Sequence, residues 1–135
     1  MVADAPAPRE GRSVGGTGPY AGAVIYKLLP TTEWDAACQR GRFTGSAVDR
    51  EDGYLHFSAA DQVVETARRH FGGATGLTLL TVDPARLGAA LRWEASRGGA
   101  LFPHLYGDLP VDAVVVAEAL PVDRPAADAV AALLP

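Results

Sequence analysis

The chain lacks most features that announce a function outright. Its 135 residues include one cysteine, Cys38, which excludes an internal disulfide and any zinc site built on two or four thiolates. No apolar run approaches the ~20 residues a membrane helix needs, so no membrane association is expected. Basic side chains are outnumbered 12 to 16, and the net charge of −4 repels phosphate backbones, which argues against general nucleic-acid binding. Phosphate-loop and Rossmann glycine patterns and a His-Glu-x-x-His pair are missing, and no Gly-x-Ser-x-Gly elbow surrounds Ser58. A metal held by His56, His104 and a carboxylate has no local spacing behind it, and none is predicted.

Residues 1–22 hold five glycines and three prolines among few bulky apolar side chains, so they read as a flexible tail. Asp4 and Glu10 interrupt the place where a signal peptide would be apolar, and a cytoplasmic protein is expected. With 48% hydrophobic and 21% charged residues, the remaining stretch, 23–135, has the size and composition of a single globular domain.

Hydrophobic periodicity divides that domain. Residues 23–29 form a β-branched, apolar run closed by Pro30, and Thr31 is placed to cap a helix whose apolar positions are Trp34, Ala37 and Cys38, ending at Gly41. Cys38 is therefore expected in the core. Residues 49–53 read as a charged turn feeding a strand over 54–58. Ser58 and Asp61 resemble a capping box for a helix with Ala60, Val63, Val64, Ala67 and Phe71 on one face, stopped by Gly72-Gly73. Strands are predicted over 76–82 and 91–94, and the valine run within 112–119 reads as a central strand. A last helix begins near Pro125. Strands and helices do not alternate regularly, which favours an α+β fold.

Three segments carry chemistry. In 54–58 the alternation of a strand puts Tyr54, His56 and Ser58 on one face and Leu55 and Phe57 on the other. Leu91 and Trp93 likewise separate from Arg92 and Glu94. The stretch Gly98-Gly99-Ala100-Leu101-Phe102-Pro103-His104-Leu105-Tyr106-Gly107 reads as a loop that presents an imidazole and a phenol. Histidine serves as acid and base near neutrality, and Glu94 or Asp52 would orient one. Each residue also has a structural reading: Ser58 as a cap, His56 bonded to backbone, Glu94 paired with Arg92 or Arg97, His104 and Tyr106 as loop braces. His70, near a helix C-terminus, suits the helix dipole and is set aside.

The ordered blocks Ile25-Tyr26-Lys27, Asp52-Gly53-Tyr54-Leu55-His56-Phe57-Ser58, Gln62, Trp93-Glu94 and Phe102-Pro103-His104-Leu105-Tyr106-Gly107 resemble the domain-of-unknown-function 952 family over roughly residues 24–119. That resemblance implies an ADP-ribosyltransferase-like fold: a split, curved mixed sheet with flanking helices and a cleft for NAD or a small nucleotide-like ligand. It also implies His56 and Glu94 as catalytic residues and Tyr54, Ser58, Gln62, Arg92, His104 and Tyr106 as ligand contacts. Here His56 would anchor ribose or phosphate, Glu94 would stabilise positive charge at the anomeric carbon, and Tyr106 would stack on a planar ring. In the diphtheria-toxin-like branch the order is histidine, tyrosine, glutamate, whereas Glu94 precedes Tyr106. A binding module without chemistry and a structural or interaction protein are the alternatives. No residue pattern fixes an oligomeric state.

Overall fold

The computed structural model describes residues 23–135; the segment read as a flexible tail lies outside the described residues. The elements in chain order are β1 (Ile25–Pro30), α1 (Thr31–Arg40), β2 (Arg42–Phe43), α2 (Ala47–Asp52), β3 (Leu55–His56) and α3 (Val63–His70). They continue with β4 (Leu77–Val82), β5 (Leu91–Ala95), β6 (Leu101–Leu105), β7 (Leu109–Pro110), β8 (Val114–Ala119) and α4 (Ala126–Leu133). The mixture of strands and helices without alternation gives the α+β class.

Two three-stranded sheets, in the orders β1-β4-β8 and β3-β6-β5, stand beside a short β2-β7 ribbon. Reciprocal backbone bonds of 2.8 Å between Tyr26 and Ser58 sew the first sheet to the chain leaving β3. The sheet is split, as expected, but it is not mixed: every strand pairing among the described residues is antiparallel. Strand alternation explains the two cores. Ile25 and Leu29 of β1, with Leu80 and Val82 of β4, meet Phe43, Phe57, Leu91 and Leu105. Tyr26, Leu28, Leu77 and Leu79 point the other way, against Val63 and Ala67 of α3 and Ala126, Ala129 and Val130 of α4. With β1 buried on both faces, Lys27 has nowhere to go but inward.

Several local expectations are corrected. Thr31 does not cap α1; Pro30 occupies that position, and the Thr31 hydroxyl pairs with that of Thr78 at 2.8 Å. Ala37 takes the core position on α1 and Cys38, one helical step round, is exposed. The charged turn at 49–53 is instead the end of α2, started by Ser46, whose backbone N–H donates to Asp49, and closed by left-handed Gly53. Ser58 does not cap α3, which begins after Gln62.

The 98–107 stretch is not a loop, because its middle forms β6, the centre of the second sheet. Pro103 is tolerated there because its carbonyl accepts from Phe57 N–H at 3.0 Å. Its missing donor would face the same side, where the two-residue ladder with β3 has ended. The valine-rich β8 is an edge strand, with Val115 and Val116 exposed, since β propensity does not distinguish edge from centre.

Gly45 sets the approach of α2 to β3. At φ +112° it adopts a conformation L side chains avoid, and a Cβ there would lie 3.1 Å from Asp49 Cβ and from Leu55 Cδ2. Gly45→Ala is expected to lower unfolding free energy by about 1–3 kcal/mol in urea titrations. Gly73→Ala, with open space and no positive φ, should stay within ~0.5 kcal/mol of wild type.

Candidate functional site

The site starts from Asp49. Gly45 and the first turn of α2 carry this carboxylate inward, where it is buried beside Lys27, whose Nζ lies 3.3 Å from Oδ1 and 3.1 Å from Oδ2. Lys27 also donates to the carbonyl of His56 at 2.8 Å, and its ammonium sits 5.7 Å and 5.4 Å from the ring centres of Phe43 and Phe57. Asp49 Oδ1 accepts from the backbone N–H of His56 at 3.0 Å and from its ring Nδ1 at 2.6 Å. On the outer side, His56 Nε2 meets Asp52 Oδ2 at 2.9 Å, and the imidazole remains 34% exposed.

The second half comes from β5, β6 and the residue after it. His104 lies opposite His56 in the β3-β6 ladder and opposite Arg92 in the β6-β5 ladder. Its Nδ1 donates to Glu94 Oε1 at 2.8 Å, and the Tyr106 hydroxyl donates to the same oxygen at 2.7 Å. Tyr54 stacks on His104 at 4.2 Å and 29°, and lies 4.7 Å from the His56 ring and 5.2 Å from the Tyr106 ring. The two imidazoles stand edge to face at 5.6 Å, and the Arg92 guanidinium covers Tyr106 at 4.6 Å.

Electrostatics sorts these groups. Burial pushes the Asp49 carboxyl up, but the His56 hydrogen bond, the Lys27 charge and two backbone donors outweigh it and bring the carboxyl down to about 2. Burial lowers the Lys27 ammonium, against the pull of Asp49. Burial also lowers His104, opposed by Glu94, so its ring favours the neutral form with the Nδ1 proton on Glu94. Glu94 is raised by burial but lowered more by His104, Tyr106 and the Arg92 charge, so it stays ionised. Burial, followed by the hydrogen bond and charge of Glu94, pushes the Tyr106 phenol up to about 12 and keeps it a donor. Tyr54 is raised too, by burial and then by Asp52 and Glu94.

Of the residues singled out in the sequence, Tyr54, His56, Arg92, Glu94, His104 and Tyr106 come together. Ser58 and Gln62 are instead buried, and their side chains bond within the scaffold. The Ser58 hydroxyl is buried against that of Thr66 at 2.9 Å. Gln62 accepts from Ala59 N–H at 2.9 Å and donates to the Leu101 carbonyl at 2.7 Å, pinning the start of α3 to β6. Tyr106 is not a bare stacking platform, since Arg92 and Glu94 already engage it. Lys27 and Asp49 escaped the sequence reading; a lysine inside an apolar β-branched run and the Ser46-x-x-Asp49 spacing were the available signals. Among the described residues no three His, Cys, Asp or Glu side chains converge as metal ligands, and no helix is long and apolar enough to cross a membrane.

A small antiparallel α+β scaffold thus presents two carboxylate-backed imidazoles within one aromatic cluster. Residues 28–117 match the family described as "Protein of unknown function (DUF952)", and the chain belongs to that family. Its structure is similar to the crystal structure of protein CC0527 from Caulobacter crescentus, at 49% identity and TM-score 0.75, covering 81% of this chain and 99% of that one. The solution NMR structure of CC0527 gives 50% identity and TM-score 0.68 over 76% of this chain and 90% of that one. No match was found among curated proteins.

Asp49 makes acid sensitivity predictable. A carboxyl held near 2 in the fold and near 3.8 unfolded contributes stability that is full above about pH 4 and lost as pH falls through 2. Urea unfolding from pH 5 to 2 should show wild type more stable than Asp49→Asn at the upper end. That gap should shrink by about 2 kcal/mol towards pH 2.

Proposed function

We propose that this protein is a small NAD- or nucleotide-using enzyme of the ADP-ribosyl or phosphoribosyl transferase type, with an ADP-ribosyltransferase-like arrangement of its split sheet. It would work in the cytoplasm, where such ligands are abundant. Glu94 carries the reading: a half-exposed carboxylate, 35% accessible, kept ionised and immobile by two donors on one oxygen. Breaking the bond between a ribose anomeric carbon and its leaving base builds positive charge on that carbon. A fixed anion stabilises that charge without reorganising.

His56 takes the second catalytic role, binding a ribose or phosphate oxygen through its outward nitrogen. Tyr54 and Tyr106 supply the aromatic surface beside it, His104 holds Glu94 in place, and Arg92 at the exposed end suits the ligand's phosphates. Ser58 and Gln62 hold the scaffold.

The test pairs binding with turnover. Pure protein incubated with NAD, ADP-ribose and cyclic phosphates is followed by thermal shift and by chromatography of released base. Wild type is expected to be stabilised by one of these ligands and to release product. Glu94→Gln and His56→Ala should still unfold in one cooperative transition, the latter at lower temperature because buried Asp49 loses a donor, and lose roughly 10²–10³-fold in rate. Stabilisation without product would leave a non-catalytic binding module, and neither effect in folded protein would defeat both readings.

A further inference from the structure

We infer that Lys27 and Asp49 form a buried clamp that positions His56 with Nδ1 bound inward and Nε2 as its working atom, and that the Asp52 carboxylate occupies the place of a ligand oxygen at Nε2. The inference rests on the reading of His56 as a working residue and adds how its ring is aimed and what it grips.

Stability does not explain the clamp. A buried ion pair loses hydration that its mutual attraction barely restores, and apolar residues of similar volume commonly serve a core as well or better. Yet Lys27 and Asp49 have side chains 6% and 1% exposed, and the Lys27 ammonium lies over the rings of Phe43 and Phe57. The geometry around them is directional. One oxygen of Asp49 binds both the backbone N–H and the ring Nδ1 of the same residue, which fixes the imidazole relative to its own main chain. The other oxygen takes the Ser46 N–H at 2.9 Å and the Lys27 ammonium, so the carboxylate cannot swing away. Lys27 completes the grip by donating to the His56 carbonyl.

Nε2 is left facing the open side. Its partner, Asp52, is 42% exposed and sits in the last turn of α2 before Gly53, so it can yield to another acceptor. A hydroxyl, phosphate or carboxylate oxygen of a bound nucleotide fits the same hydrogen bond. An oxygen taken up there is held by Nε2 while Nδ1 stays directed at Asp49. The other charged or titratable groups around the ring are Lys27 from β1, Tyr54, and His104 from β6.

The experiment follows the His56 ring nitrogens by long-range proton–nitrogen NMR on the full chain, in wild type, Asp52→Asn, Asp49→Asn and the double variant Lys27→Met/Asp49→Asn. The double variant removes both buried charges, so it remains informative if Asp49→Asn alone fails to fold. Wild type and Asp52→Asn are expected to keep a protected, downfield Nδ1 proton. The two variants lacking the Asp49 carboxylate are expected to lose it and to populate both tautomers. Where NAD turns over, Asp49→Asn should lower kcat by roughly a hundredfold with KM within about twofold. An Nδ1 proton that survives without Asp49, or that disappears with Asp52, overturns the clamp. An intact Nδ1 signature without turnover overturns the enzyme reading and upholds the clamp.

Discussion

The polar groups around Asp49 are arranged about one constraint: an ammonium on a strand buried on both faces. Lys27 points between two phenylalanine rings and has to find oxygen there, because an isolated buried cation would cost several kcal/mol. It finds two sources, the Asp49 carboxylate and the His56 carbonyl. Meeting that demand brings α2 against β1 and sets the start of β3. The direction of the His56 ring results from the same contacts, so the site and the scaffold share one set of hydrogen bonds.

The outer half obeys a different constraint. His104 is buried in the central strand of the second sheet, and its desolvated ring needs an acceptor for the Nδ1 proton. Glu94, on the neighbouring strand, provides it while remaining partly open to solvent. Both imidazoles therefore lean on a carboxylate, but with opposite exposure. At His56 the carboxylate is sealed and the ring is accessible; at His104 the ring is sealed and the carboxylate is accessible. Tyr54 packs against both rings and joins the halves. One half thus presents a nitrogen and the other an anion.

How much of this was legible in the sequence depended on the range of the signal. β1, the αL stop at Gly41 and strands β4 and β5 follow from short periodicities and turn chemistry and stand where the residues put them, as do Val63, Val64 and Ala67 on α3, whereas Ala60 lies exposed before that helix. Period-two alternation was enough to bring Tyr54, His56, Arg92 and Glu94 towards one cluster with His104 and Tyr106. The burial of Ser58 was not legible, because alternation says which way a side chain leaves the strand, not whether a helix closes over it; Thr66 of α3 takes its hydroxyl. Pro103 misled for a related reason, since proline's exclusion from central strands depends on which side its absent donor would face. The clamp was least legible. Lys27 and Asp49 are 22 residues apart, and each alone looks like an ordinary charged residue until the other is placed.

For the proposed nucleotide ligand, the charge balance bears on which end the cluster would receive. Asp49, Asp52 and Glu94 all face the two imidazoles, while the Lys27 ammonium is occupied internally and Arg92 lies over Tyr106 on the exposed side. A phosphate between Asp52 and Glu94 meets like charge, so one held by His56 Nε2 has first to displace the Asp52 carboxylate. In the proposed reading a cationic base and its ribose take that centre, with phosphates directed outward to the guanidinium. For a transferase of the proposed kind, an oxidised nicotinamide, positively charged and planar, fits the anionic and aromatic surroundings. The same carboxylate that attracts it would stabilise the charge left on ribose as it departs. The net charge of −4, unhelpful for gripping nucleic acid, is no obstacle to a ligand entering by its cationic end.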